Sequence, residues 1–252
     1  MFPVVSACLS SLYPKMKWSR KMKKSVWLFT ALIMIVCTVL TGCSSKDSAN
    51  LAPTEILAKS YDSMQAEESF HFTMEHDTAG TPISKSILMT KLVGDIVSPD
   101  KLKAKITGTY SDMAIEVELV TVSGQTYMTN PISGAWELAP NSFKVLSVFD
   151  PGSGIASIIK GLSDVTSLGE EKVGKTKCYH LKGDVLSETL APLTGTSATG
   201  IKIGTEVWID KKTFHVMQVK LSGKITDTEA DGITRTLIFT DYNKDIKIEL
   251  PA

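Results

Sequence analysis

The residue best placed for covalent chemistry is Cys43, which directly follows Leu40-Thr41-Gly42. A thiol after Leu-Thr-Gly is the bacterial lipobox pattern, at which the sulfur is joined to diacylglycerol and the chain is then cut before the cysteine. The preceding stretch fits that chemistry. Lys15, Lys17, Arg20, Lys21, Lys23 and Lys24 form a basic head, followed by an apolar run from Val26 to Leu40. A membrane span needs roughly 20 apolar residues, more than this run supplies. Residues 1–42 are therefore read as a signal peptide, with Met22 an alternative start. Whether the signal is cleaved or remains as an anchor, the rest of the chain is expected outside the cytoplasm. One buried acyl chain holds a protein only marginally and two hold it stably, at about 0.8 kcal/mol per CH₂. A diacylated Cys43 would thus fix the protein to the extracytoplasmic face of the cell membrane. Residues 43–50 are polar after the cysteine and read as a tether able to reach roughly 20 Å.

Other chemistry is sparse. The sequence holds no Gly-x-Ser-x-Gly elbow and no His-Glu-x-x-His helix. Gly152-Ser153-Gly154 lacks the third glycine and the preceding strand of a dinucleotide loop. His71 and His76 stand five apart on an expected strand and so point to opposite faces. Glu75, His76 and Asp77 could be drawn as a metal site, but a solvated strand end is the plainer reading. His180 and His215 have no carboxylate nearby in sequence. Cys8 and Cys37 leave with the signal, and lipidation of Cys43 leaves Cys178 without a disulfide partner. Cys178 lies in the strand pattern Lys177-Cys178-Tyr179-His180-Leu181 and is expected to be a buried structural thiol. No catalytic residue, metal or cofactor is expected. Trp136 and Trp208 are read as packing or rim residues.

Loss of the signal would leave 21 of the 27 Lys+Arg beside all 27 Asp+Glu, a formal net charge of −6. That balance argues against nucleic acid as a partner and against a basic patch for anionic lipid. About 210 residues suit one domain, expected over 51–252.

The elements that must position these residues are one helix and then mostly strands. Pro53 suits a first turn, and Leu57, Tyr61 and Met64 fall at helical spacing within 51–66. From Phe70 the period becomes two. Phe70 and Phe72 alternate with His71 and Thr73; Ile115, Val117 and Leu119 alternate with Glu116 and Glu118. Ile203 and Val207 share a face opposite Lys202, Glu206 and Trp208, and Leu237 and Phe239 alternate with Thr236, Ile238 and Thr240. Lys101, Lys103 and Lys105, like Glu116 and Glu118, read as solvated strand faces. One apolar and one polar face per strand indicates an antiparallel sheet covered on one side, with about ten strands. Short links at Ser98-Pro99-Asp100, Ser123-Gly124, Asp210-Lys211-Lys212 and Ala230-Asp231-Gly232 fit a meander.

One segment departs from the rhythm. Leu146 and Phe149, then a Pro-Gly break, then Ile155, Ile158, Ile159 and Leu162 give helical spacing on both sides of Pro151-Gly152. Two short, unusually apolar helices are expected there, with a further short helix at Val185–Leu190 and a loop from Pro192 to Gly200. Such helices could either plug the apolar face of the sheet or stand off it and leave a cavity.

The order of these pieces resembles the LppX/LprG family of lipid-carrier lipoproteins, whose fold is similar to the LolA/LolB half-barrel. The resemblance rests on the lipobox, the helix leading into Ser69-Phe70-His71-Phe72, and the pair Gly94–Val97 and Asp100–Leu102. It continues through Ile115–Val120, Gln125–Thr129, Trp136, Tyr179–Gly183, Val207–Asp210 and the closing Phe239–Lys244. It implies an α+β fold: a strongly curved antiparallel half-barrel with a few helices over its open apolar side. The cargo implied is the acyl chains of a lipid or glycolipid, carried or presented in the cell envelope without covalent chemistry. The cavity is expected to be lined by Phe70, Phe72, Ile115, Val117 and Leu119 from the first half and Ile203, Val207, Leu237 and Phe239 from the second. Leu146, Phe149, Ile155, Ile158, Ile159 and Leu162 would form its lid. An envelope transporter is a candidate partner, and a monomer is expected. The alternative is a surface lipoprotein that uses the same fold as an interaction, chaperone or sensor module.

Overall fold

The protein is described by a computed structural model covering residues 51–83, 87–139, 154–191 and 197–251. The signal, Cys43, the tether, Leu146 and Phe149 lie outside the described residues.

Helix α1 runs Pro53–Gln65, with Pro53 in its first turn and the Ala52 carbonyl accepting from Glu55 N (2.9 Å) and Ile56 N (3.0 Å). It turns Ile56, Leu57, Ser60 and Met64 inward. Strands β1 (Ser69–His76), β2 (Thr81–Pro82), β3 (Ile87–Val97), β4 (Lys101–Tyr110), β5 (Met113–Val122), β6 (Gln125–Thr129) and β7 (Trp136–Leu138) follow. A seven-residue helix α2 (Ile155–Gly161) leads into β8 (Ser163–Val173), β9 (Thr176–Leu186), β10 (Lys202–Asp210), β11 (Val216–Ser222) and β12 (Thr234–Thr240). Twelve strands are thus found among the described residues where about ten are expected. The two extra are the short β2 and β7, whose lengths fall below what alternation can reveal. The expected helix at Val185–Leu190 is a 3₁₀ turn over Ser187–Leu190, with Val185 and Leu186 still paired in β9.

All neighbouring strands are antiparallel, in the order β7-β6-β5-β4-β3-β1-β12-β11-β10-β9-β8, with β2 beside β3. The first and last strands meet in the middle, Phe72 opposite Phe239. The free edges are β7 and β8, so the sheet is curved but unclosed. Among the described residues those two edge strands are consecutive in the chain, with α2 between them. Hairpin chemistry fixes the register locally. Ser111 and Asp112 (φ 47° and 68°), like Ser123 and Gly124 (φ 52° and 79°), take the two positive φ values of a type I′ turn.

Curvature has a visible cause in β3 and β4. Gly94 faces inward opposite Phe72 on one side and Ala104 on the other. A Cβ there would stand 2.4 Å from the Lys103 carbonyl oxygen and 2.9 Å from the Ala104 Cβ. Neighbouring backbones therefore approach on the concave side more closely than a side chain allows. After β12 the chain straps the α1–β1 junction. Asn243 N donates to Ser69 O (2.8 Å), Ser69 Oγ to Lys244 O (2.7 Å), and Tyr242 Oη to Val216 O.

Candidate functional site

The candidate site is the concave face. Strand alternation places Phe70 and Phe72 of β1, Ile115, Val117 and Leu119 of β5, Ile203 and Val207 of β10, and Leu237 and Phe239 of β12 on it. All nine belong to one buried apolar cluster, and none is more than 8% exposed. Phe70 meets Phe239 edge-to-face at 6.0 Å between ring centroids, and Tyr242 at 6.0 Å. Thr205 falls between Ile203 and Val207 on the same face. It is buried there with its hydroxyl donating to Ile203 O (3.0 Å), which removes the cost of a polar group in an apolar row.

Helices close the open side. Ile155, Ile158 and Ile159 of α2 are 0–2% exposed and Leu162, just past its C-terminus, is 8% exposed; all four join the same cluster. So do Ile56, Leu57 and Met64 of α1, which packs against α2. The structure thus brings together every expected cavity residue with the four described lid residues, and closes that interior against water. Sequence reasoning passed over further members: Leu92 and Ile96 of β3, Leu102 and Ile106 of β4, Val219 and Leu221 of β11. Those of β4 were legible, since Leu102, Ala104 and Ile106 alternate with the three lysines read as a solvated face.

One end of the concave face is polar. Arg235 faces inward two residues before Leu237, fully buried, and is paired with the fully buried Glu229 from the β11–β12 loop. Ile225 N (2.6 Å) and Thr226 N (3.3 Å) donate to Glu229 Oε2, while Thr81 Oγ1 lies 3.2 Å from both Glu229 Oε1 and Arg235 Nε. His76, opposite Arg235 in the ladder, donates Nδ1–H to Thr90 O (2.9 Å) and has Nε2 2.9 Å from Thr81 Oγ1. Burial, with the Arg235 guanidinium nearby, holds the imidazole below its ordinary range despite the Thr90 carbonyl. The strand end is solvated at Glu75 and Asp77, as expected, while His76 between them turns inward and is half-buried. Its hydrogen-bond partners come from β2 and β3. Among the described residues no group of three or more His, Cys, Asp or Glu side chains is arranged to hold a metal ion.

His180 and His215 acquire carboxylates that sequence distance conceals, as His71 does with Asp95 (2.7 Å). On the convex face His180 lies between Glu171 (Nδ1, 3.0 Å) and Glu206 (Nε2, 2.7 Å) and stacks on Trp208 at 4.1 Å. Trp208 Nε1 donates to Glu171 (2.9 Å), and this packing leaves the tryptophan buried. His215 Nε2 meets the buried Glu67 at 2.7 Å beneath the end of α1. Cys178 is buried and free, and burial pushes its thiol up to about 11.

Comparison with known proteins follows the same outline. The profile of the LppX_LprAFG lipoprotein family matches residues 52–248. A protein named lipoarabinomannan carrier protein LprG, from Mycolicibacterium smegmatis, is 24% identical over 236 residues, covering 88% of this chain and 94% of its own. Its namesake in Mycolicibacterium hassiacum is 23% identical over 232 residues, covering 88% and 96%. Among solved structures, LprF of Mycobacterium bovis superposes with a TM-score of 0.63 at 11% identity, over 79% of this chain and 97% of its own. LppX of Mycobacterium tuberculosis does so with a TM-score of 0.57 at 14% identity, over 78% and 98%. These two likenesses show the fold.

Proposed function

This chain belongs to the LppX_LprAFG lipoprotein family, and from that premise we propose that it is a membrane-anchored carrier of lipid or glycolipid in the cell envelope. Cys43 supplies the anchor, on the extracytoplasmic side. The concave face takes the acyl chains, with the headgroup left at the rim, and no covalent step is involved. The observation that carries this reading is the single apolar cluster shared by the whole concave face and the two helices over its open side. The carrier name of the two relatives supports the class of cargo.

The energetics require such a site. At about 0.8 kcal/mol per CH₂, exposing a 16-carbon chain to water costs on the order of 12 kcal/mol, and two chains about twice that. An apolar interior that substitutes for the bilayer removes most of this cost. Because the interior is closed here, chains would be admitted by α2 moving off the sheet and would take over the contacts made by Ile155, Ile158 and Ile159. An envelope transporter as donor or acceptor, and action as a monomer, complete the proposal.

The closed interior is equally what a non-carrier interaction module would have, so the test must detect cargo. Residues 44–252 include every described strand, both described helices and the buried apolar cluster, and can be produced without the signal. Native mass spectrometry with lipid extraction should find near one lipid per protein after contact with the host's envelope lipids. A clean lipid-free mass after that incubation would replace the carrier reading with the interaction module.

A further inference from the structure

Two buried side-chain atoms among the described residues lack any hydrogen-bond partner: Glu67 Oε2 and Ser60 Oγ. The glutamate meets His215 Nε2 through its other oxygen (2.7 Å). The serine is different. It sits mid-helix in α1, 0% exposed, on the row Ile56, Leu57, Ser60 and Met64 that faces the apolar cluster. A helical serine ordinarily relieves its hydroxyl by bonding the carbonyl four residues back; this one does not. Water is a poor substitute, since a buried water needs two to four polar partners and the row flanking Ser60 offers apolar side chains. An unsatisfied buried hydroxyl is costly relative to alanine, which also has the higher helix propensity.

Resting on the carrier reading above, we infer that Ser60 Oγ donates a hydrogen bond to an acyl carbonyl of the bound lipid and so positions the ester linkage within the interior. A lipid is then held by its chains through the apolar face and by its ester at α1. An ether-linked lipid of equal chain length fills the same space but leaves the hydroxyl unpartnered. Ser60 is thus a specificity residue for acyl esters.

The test uses residues 44–252, stripped of lipid, incubated with vesicles containing equal amounts of dioleoylphosphatidylcholine and its dioleyl diether analogue. Native mass spectrometry reads the ester-to-ether ratio of bound lipid directly. The ratio for wild type should exceed that for Ser60→Ala by about five- to tenfold, the net worth of one neutral hydrogen bond. Equal ratios, with both lipids bound, overturn the role of Ser60 and leave the carrier reading standing. Binding of neither lipid by wild type overturns the role of Ser60, and the carrier reading falls with it only if the host's own envelope lipids are refused as well. The lipid-free melting temperature is a second readout. Ser60→Ala should match or exceed wild type, and a clear drop would show that the hydroxyl is bonded within the protein, ending the proposal.

Discussion

At the scale of single residues, tertiary neighbours set the chemistry. Cys178 is a thiol with no disulfide partner among the described residues, yet it is buried and its ionisation is pushed up to about 11. The thiolate is the reactive form. In residues 44–252 it should therefore resist Ellman's reagent at pH 8 and react with one equivalent only after denaturation; prompt reaction of the folded protein would contradict its burial. His76 gives a pH dependence. Its folded ionisation lies below the ordinary 6.5 because of burial, so the unfolded chain takes up a proton near that pH while the folded protein does not. Stability from this group is full above about pH 6.5 and is lost as pH falls toward the folded value. The slope is at most about 1.4 kcal/mol per pH unit. Urea midpoints between pH 7.5 and 5 should fall more steeply for wild type than for His76→Gln. Parallel curves would assign the pH dependence to other groups.

At the scale of elements, small inward residues let the sheet bend. A Cβ on Gly94 would meet backbone oxygen of the neighbouring strand at 2.4 Å, whereas one on Gly204 would meet only Ser222 atoms at 3.7 and 4.0 Å. Gly94→Val should cost about 1–3 kcal/mol by urea denaturation, the usual range for overpacking, and Gly204→Ala should be nearly neutral. Similar costs at both sites would mean that β-propensity, not curvature, governs these positions. The helices and strands were legible because period 3.6 and period 2 depend only on which residues are apolar. The short helix expected at Val185–Leu190 was legible in place but not in extent, since Val185 and Leu186 stay paired in β9 and only a single 3₁₀ turn follows. Not legible were β2 and β7, whose two and three residues cannot display alternation.

At the scale of the whole molecule, the question is whether the apolar interior gives way to cargo. Val117 and Ile203 are 2% and 0% exposed and lie on strands six places apart in the sheet. If the interior exchanges helix contacts for acyl chains, Val117→Trp and Ile203→Trp should keep the fold, with little change in melting temperature, and lose most bound lipid. A permanently filled core should instead lose about 1–3 kcal/mol, with no lipid to displace in wild type. The sequence by itself determined the strand faces, the helix before them, the apolar character of Ile155–Leu162 and the export pattern ending at Cys43. Each of these is a local pattern of polarity and needs no partner to be read. Only the tertiary structure decided that the first and last strands pair, that β7 and β8 are the edges, and that Glu171 and Glu206 flank His180. It alone seated Arg235 with Glu229, and left Ser60 buried without a partner. Those facts depend on register and on contacts between residues up to more than 150 positions apart, which polarity along a chain does not encode.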